Sequence, residues 1–348
     1  MDGNKNNEHV RVLEQYCTSD DISLVGLRQK LNQITQPTAL ACSHFLHELC
    51  LNKNVTHDMV QLVLDNILYA AHYVSNRYHG LSYNDEDVDR YEEEQKEAEE
   101  KSPSSESPRK RKCSSDRTFP IHLAASNVHS PNSVVELLAK NNPSAIGHLS
   151  KLTVGHNKEG IGSLESTPLH CYLSRKSNLQ LDTVKLLVEL CPESLKLSES
   201  EQTYFVVHVI IDNPKVGSHH DVLQYLISID PTILQCRNEF EETPLHLICY
   251  THATVILVQV VLDGYADATK ESDLHGSLPI HNLCINEVIG KGVKLDVLRI
   301  LIDAYPESLQ VKTGSQNLPI HIASRYQGPD FCKLLDLFDY FWIISGLG

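Results

Sequence analysis

The stretch TPLHLIC, residues 243–249, decides how this chain is read. It returns in altered form as TFPIHLA (118–124), STPLHCY (166–172), SLPIHNLC (277–284) and NLPIHIAS (317–324). A further copy, TYFVVHV (203–209), keeps the histidine and loses the proline. The histidines of these copies are His122, His170, His208, His246, His281 and His321, separated by 48, 38, 38, 35 and 40 residues. A motif that returns at such a period marks an array of repeated supersecondary units.

The motif has a mechanical meaning. The hydroxyls of Thr118, Thr167, Thr203 and Thr243 are expected to cap a helix by accepting from an early backbone N–H. Pro120, Pro168, Pro244, Pro279 and Pro319 would then stand at the first helical position, where a missing N–H costs nothing. The next residue, Leu245 or Ile280, faces inward. The histidine can donate and accept at once, and so can tie the helix start to a neighbouring loop.

The rest of each unit follows from apolar spacing. About a dozen residues after each histidine comes a second apolar helix: SVVELLAK (133–140), DTVKLLVELC (182–191), DVLQYLISI (221–229), TVILVQVVLDG (254–264) and DVLRILIDAY (296–305). A proline landmark then follows in NPSAI, CPESL, DPTIL and YPESL, at 21, 22, 23 and 25 residues from the motif histidine. The unit that starts at His246 carries GYADA instead.

These motifs resemble ankyrin repeats. Thr-Pro-Leu-His occurs in full at 167–170 and 243–246, and as Pro-Ile-His at 120–122, 279–281 and 319–321; GYADA is close to the Gly-Ala-Asp usual in that family. The array is divergent, with longer inter-helix loops that lack the usual glycine. The resemblance implies an all-α, ankyrin-type helical solenoid of about seven to eight helix–loop–helix units.

Upstream of the array, 8–33 reads as two short helices with Asp20 or Asp21 as cap of the second, and suits a terminal capping unit. Residues 44–74 read as a degenerate repeat with His47 in the motif position and Thr56 as a helix cap. The organisation expected is a capping unit and degenerate repeat at 1–78, a linker at 79–117, and the array at 118–348. Its units lie near 118–147, 166–198, 203–235, 243–270, 277–312 and 317–348. The linker opens with an acidic run and closes with SPSSESPRKRK; with so little apolar material it is expected to be disordered. A second insertion, 148–166, is expected to form an exposed loop.

Composition bounds the function. The chain has 348 residues, 41% hydrophobic and 22% charged, with a formal net charge of −15. That charge argues against direct nucleic-acid binding. No apolar run approaches the ~20 residues that a membrane span needs. The ten cysteines include Cys171, Cys249 and Cys284 at helix positions that favour small apolar residues, so buried free thiols are expected. There is no phosphate-binding loop, no dinucleotide fingerprint and no H-E-x-x-H. His44, His47 and Cys50 share a helical face, yet the motif role of His47 explains it better than a metal does, and neither a metal nor a cofactor is expected.

The reading is therefore of a non-catalytic protein–protein interaction scaffold or adaptor, monomeric, cytoplasmic or nuclear, with its partner on the concave face. Recognition is assigned to loop-tip residues Phe240, Glu241, Asp273 and His275 and to first-helix ends Tyr172, Arg175, Tyr250, His252 and Tyr326. The alternative is a nuclear regulatory adaptor imported through Arg109, Lys110, Arg111 and Lys112, a basic run fit to dock on the acidic groove of an import receptor. Phosphate on Ser107 would then mask that run. A metal- or nucleotide-dependent enzyme hidden in the insertions is the third reading.

Overall fold

In a computed structural model the described residues are 2–34, 45–67, 118–150, 166–174, 179–197, 205–213, 215–286, 291–333 and 335–336. The linker at 79–117, with Arg109 to Lys112, falls outside them, as do Thr203, Arg175, His44, most of the second insertion and the apolar C-terminal tail. Among the described residues the secondary structure is helical, with one isolated bridge between Ser150 and Ser166.

The chain divides into two compact units. One comprises Met1–Val154, Gly160–Tyr172 and Glu189–Cys191; the other comprises Gly155–Glu159, Leu173–Val188 and Pro192–Gly348. In the first, helices α1 (Asp2–Cys17) and α2 (Leu24–Leu31) precede the pair α3 (Phe45–Leu51) and α4 (His57–Asn66). The pair α5 (Pro120–Ser126) and α6 (Asn132–Asn141) follows, and then α7 (Pro168–Leu173) begins the next. Helix α1 packs on α3 and α3 on α5, while α2 packs on α4 and α4 on α6.

The second unit repeats this layering. Its paired helices are α9 (Val206–Asp212) with α10 (His220–Ile229), α11 (Pro244–Thr251) with α12 (Val255–Gly264), and α13 (Pro279–Ile285) with α14 (Lys291–Ala304). Helix α8 (Leu181–Leu190) precedes them and α15 (Pro319–Tyr326) follows. The leading helices α9, α11, α13 and α15 pack side by side, and α10, α12 and α14 form a second row.

The two rows are built differently. Leading helices are short, and an isolated helix of six to eight residues is unstable in water. Most persist because nearly every side chain is covered: Pro244 through Cys249 are all buried in α11, whereas α15 buries Pro319 and Ala323 and leaves His321, Ser324, Arg325 and Tyr326 exposed. The second-row helices are amphipathic. Helix α10 buries Val222, Leu223, Leu226 and Ile227 and leaves Asp221, Gln224 and Ser228 to solvent. Each such fully buried Leu or Ile contributes about 1.5–3 kcal/mol.

Every predicted second helix of the array is present with its bounds within one residue, except that α14 starts five residues before the predicted 296. The proline landmarks begin short 3-10 turns at Pro143–Gly147, Pro192–Leu195, Pro231–Gln235 and Pro306–Gln310, and Ala266–Lys270 takes that place after α12. Thr56 caps α4 as expected, accepting from Met59 N–H at 3.4 Å. Helix α2 is capped by Ser23, which accepts from Gly26 N–H at 3.2 Å, and not by Asp20 or Asp21, which lie outside the helix start.

Candidate interaction surface

Thr167 caps its helix as expected, its hydroxyl accepting from His170 N–H at 3.4 Å, but the other described motif threonines do less than expected and the histidines do more. In α5 the residue before the helix is Phe119, and the Thr118 hydroxyl meets Ser150 Oγ at 2.7 Å. Thr243 likewise makes its side-chain contact with His246 Nδ1, at 2.8 Å. What all six described helix starts share is a backbone N–H, from the residue preceding the helix, donated into the histidine ring. Phe119 N–H reaches His122 Nδ1 at 3.3 Å, Thr167 reaches His170 at 3.4 Å and Phe205 reaches His208 at 3.2 Å. Thr243 reaches His246 at 3.2 Å, Leu278 reaches His281 at 2.9 Å and Leu318 reaches His321 at 3.1 Å. The histidine thus plays the part that Glu or Gln plays in a capping box.

An Nδ1 that accepts must be unprotonated, so the ring proton of each neutral imidazole sits on Nε2. In His122, His246 and His281 that proton is donated to a carbonyl of the loop before the next leading helix, and His47 Nε2 meets such a carbonyl as well. His47 Nε2 lies 3.0 Å from Thr118 O, His122 Nε2 2.9 Å from His148 O, His246 Nε2 3.0 Å from Ser277 O and His281 Nε2 3.1 Å from Val311 O. Burial pushes His122, His170 and His246 down to about 4 and lowers His281. Protonation would also turn Nδ1 from acceptor to donor, against the N–H it receives. In His122, His246 and His281 both ring nitrogens are thereby committed to holding the fold.

A second ladder stands at the other end of the leading helices, and the sequence reading missed it. Asn52 Nδ2 donates to Cys17 O at 2.8 Å and Ser19 O at 2.9 Å. Asn127 Nδ2 donates to Cys50 O at 2.9 Å and Asn52 O at 3.1 Å. Asn213 donates to Leu173 O at 2.9 Å and Asn286 to Cys249 O at 3.0 Å. Gln327 donates to Cys284 O and Asn286 O, both at 2.8 Å. Each amide satisfies the open carbonyls at the end of the preceding leading helix. The signal was in plain view: an asparagine five residues after the motif histidine in HELCLN, HLAASN, HVIIDN and HNLCIN.

Between successive helix pairs of the second unit the chain turns through three tips of one design. In 238–242, Asn238 N–H donates to Glu242 O at 3.0 Å, and Asn238 Oδ1 accepts from the N–H groups of Phe240 and Glu242, both at 2.9 Å. Asp273 does the same in 273–277, its Oδ1 taking His275 N–H at 2.8 Å and Ser277 N–H at 2.7 Å. Thr313 Oγ1 accepts from Asn317 N–H at 3.2 Å in 313–317. The fourth residue of each tip is left-handed, with φ of 59° at Glu241, 69° at Gly276 and 63° at Gln316.

Adjacent tips are joined edge to edge. Leu274 N–H donates to Phe240 O at 2.9 Å and Gly314 N–H to His275 O at 2.7 Å. Beneath the first joint Arg237 pairs with the Glu271 carboxylate and donates to Glu241 O and Ser272 O, both at 2.8 Å. Tyr265 donates to the same carboxylate at 2.5 Å, and that bond raises the Tyr265 hydroxyl to about 12. The tips are therefore a braced edge, not separate loops.

Of the residues assigned to recognition, Phe240, Tyr250 and Tyr326 are about half exposed, at 48%, 51% and 47%. Glu241 and His275 are exposed as well. Asp273 is partly covered and its carboxylate is spent on its own tip. His252, which follows α11, is half-buried. Tyr172 is a correction. It is fully buried, with its hydroxyl donating to Asn132 Oδ1 at 2.8 Å, because an aromatic ring at that point of a leading helix fills the space toward α6. It belongs to the core of the first unit.

Among the described residues no group of three or more His, Cys, Asp and Glu is gathered as metal ligands would be. Cys171, Cys249 and Cys284 are buried thiols outside any disulfide, as are Cys17 and Cys50. Burial raises Cys17 to about 12 and pushes Cys50 and Cys249 higher still. No helix among the described residues is long and apolar enough to cross a membrane. The chain matches no model of a known protein family and no curated protein.

Proposed function

We propose that the chain is a non-catalytic scaffold of ankyrin type, an array of helix–loop–helix units that binds a protein partner on its tips and on the exposed ends of its leading helices. The observation that carries this reading is the joined edge at 238–242, 273–277 and 313–317, where main-chain bonds fix the backbone and the side chains of Phe240, Leu274 and His275 are left to solvent. A rigid backbone with free apolar side chains loses little conformational entropy on binding, which favours recognition over chemistry. The motif histidines of this edge are occupied as braces, so the repeated residue most suited to acid–base work is committed elsewhere.

The test is a comparison of partners retained by the wild type, by Tyr250→Ser with Tyr326→Ser, and by Gln224→Ala on the second row. Loss of the same partners in the tyrosine variant alone supports the reading. Equal retention by all three removes it. The basic run at 109–112 supports the second reading, a nuclear adaptor. Replacing Arg109 to Lys112 by alanine tests it: an unchanged cellular location sinks the import role.

A further inference from the structure

We propose that the joined tips 238–242 and 273–277 dock a basic, apolar segment of a partner protein. The inference rests on the reading of the tips as a binding edge and adds the chemistry of what is bound.

Two large apolar side chains stand here at neighbouring tips. Phe240 is 48% exposed and Leu274 64%, the latter among the most exposed large apolar residues described, and the bond from Leu274 N–H to Phe240 O holds their backbones together. Scattered surface apolar residues mean little, but a pair on a rigid edge makes a defined anchor.

Charge decides the occupant. Around the pair lie Glu239, Glu241, Glu242, Glu271 and Asp273. Two cations border these tips: exposed Lys270 is paired with Asp267, and Arg237 is half-buried and held by the Glu271 carboxylate and two backbone carbonyls. Its second carboxylate contact, to Glu241, is long at 3.9 Å. Glu239 is exposed, and Glu242 is oriented by Asn238 Nδ2 at 2.8 Å and Asn282 Nδ2 at 3.3 Å, neither of which cancels its charge. Exposed Lys312 marks the limit of the acidic surface at the following tip. An apolar pair rimmed by carboxylates favours a segment that offers Leu- or Phe-like side chains between Lys or Arg, and repels an acidic one.

The experiment selects random peptides about a dozen residues long, displayed on phage, on the full chain, with the double variant Phe240→Ser, Leu274→Ser used to subtract. Both side chains are exposed, so the variant keeps its core, which an unchanged urea midpoint verifies. The expected result is enrichment of peptides with net positive charge and at least one large apolar residue. Synthetic copies should bind the wild type at least about tenfold more tightly than the variant, about 1.4 kcal/mol. Raising the salt to ~0.5 M should weaken them several-fold, as should Glu239→Lys with Glu242→Lys. Enriched peptides that are neutral or acidic, yet still lost in the double variant, overturn the proposed chemistry and leave the tips as a binding edge. Peptides that bind wild type and variant equally overturn the tips as well.

Discussion

Lowering the pH should unfold this protein through its brace histidines. His122, His170 and His246 are neutral in the folded chain, titrating at about 4 where the ordinary value is 6.5. The unfolded chain therefore takes up protons between pH ~6.5 and ~4 that the folded chain refuses. Stability is at its full value above that window and falls as pH drops through it. A shift of this size amounts to about 1.4 kcal/mol per pH unit within the window, so each histidine withdraws about 2 kcal/mol between pH 7 and 4.5. Two of the three stand in the first unit, which thus loses about 4 kcal/mol, close to the lower range of the stability of a whole domain. His281, lowered for the same reason, adds to the loss in the second unit. Asp212 acts in the opposite sense: burial and the Glu242 carboxylate raise it to about 6, so acid favours its folded form, though its open edge to solvent limits that effect.

The assay is urea unfolding followed by far-ultraviolet circular dichroism at several pH values from 7.5 to 4.5, on the wild type and on His122→Gln. Glutamine can accept from Phe119 N–H and donate to His148 O, and it does not titrate. At neutral pH the variant should be less stable by about 1–2 kcal/mol, for imperfect reach and packing. By pH 4.5 that deficit should vanish or change sign, because the wild type has lost about 2 kcal/mol that the variant keeps. Parallel stability curves for the two proteins, or a wild-type midpoint that does not move with pH, would refute the idea that these rings are held neutral by the fold.

Other outcomes follow from the same geometry. Asn286→Ala removes the donor to Cys249 O at a buried site and should cost about 1–3 kcal/mol in urea unfolding; Asn286→Asp, which sets a carboxylate against that carbonyl, should cost more. Gly276→Ala should destabilise by about 1–2 kcal/mol, since φ is 69° and the new Cβ would stand 3.1 Å from Gly314 N. Glu241→Gly, at a φ of 59°, should be neutral or slightly stabilising by thermal melting. Arg237→Lys should behave almost as Arg237→Ala, because one ammonium cannot bridge the Glu271 carboxylate and two carbonyls as the fork does. Cys17, Cys50 and Cys249 should resist alkylation at pH ~8 until denaturant is added, since burial keeps each as the thiol.

Much of the local architecture can be read without coordinates. Pro at the first helical position, apolar spacing after it and a second proline beyond the next helix predict where α5 to α15 start and turn, because these are local backbone preferences. Thr56 as a cap is legible for the same reason. The capping of the leading helices is not. It depends on which rotamer brings an imidazole back to the preceding N–H, and Phe119, Phe205, Leu278 and Leu318 offer no cap of their own to suggest it.

The amino-acid sequence alone determined the helical class, the repeat and its punctuation, since each is written within one unit. Tertiary structure alone decided what depends on a neighbouring unit: that Tyr172 is core and Tyr250 is surface, that Asn52, Asn127, Asn213 and Asn286 close the preceding helix, and that the tips of the second unit are joined into one edge. The repeated asparagine marks a position in the sequence, but its hydrogen bond to a carbonyl 35 to 77 residues away has a geometry that exists only after the helices have packed.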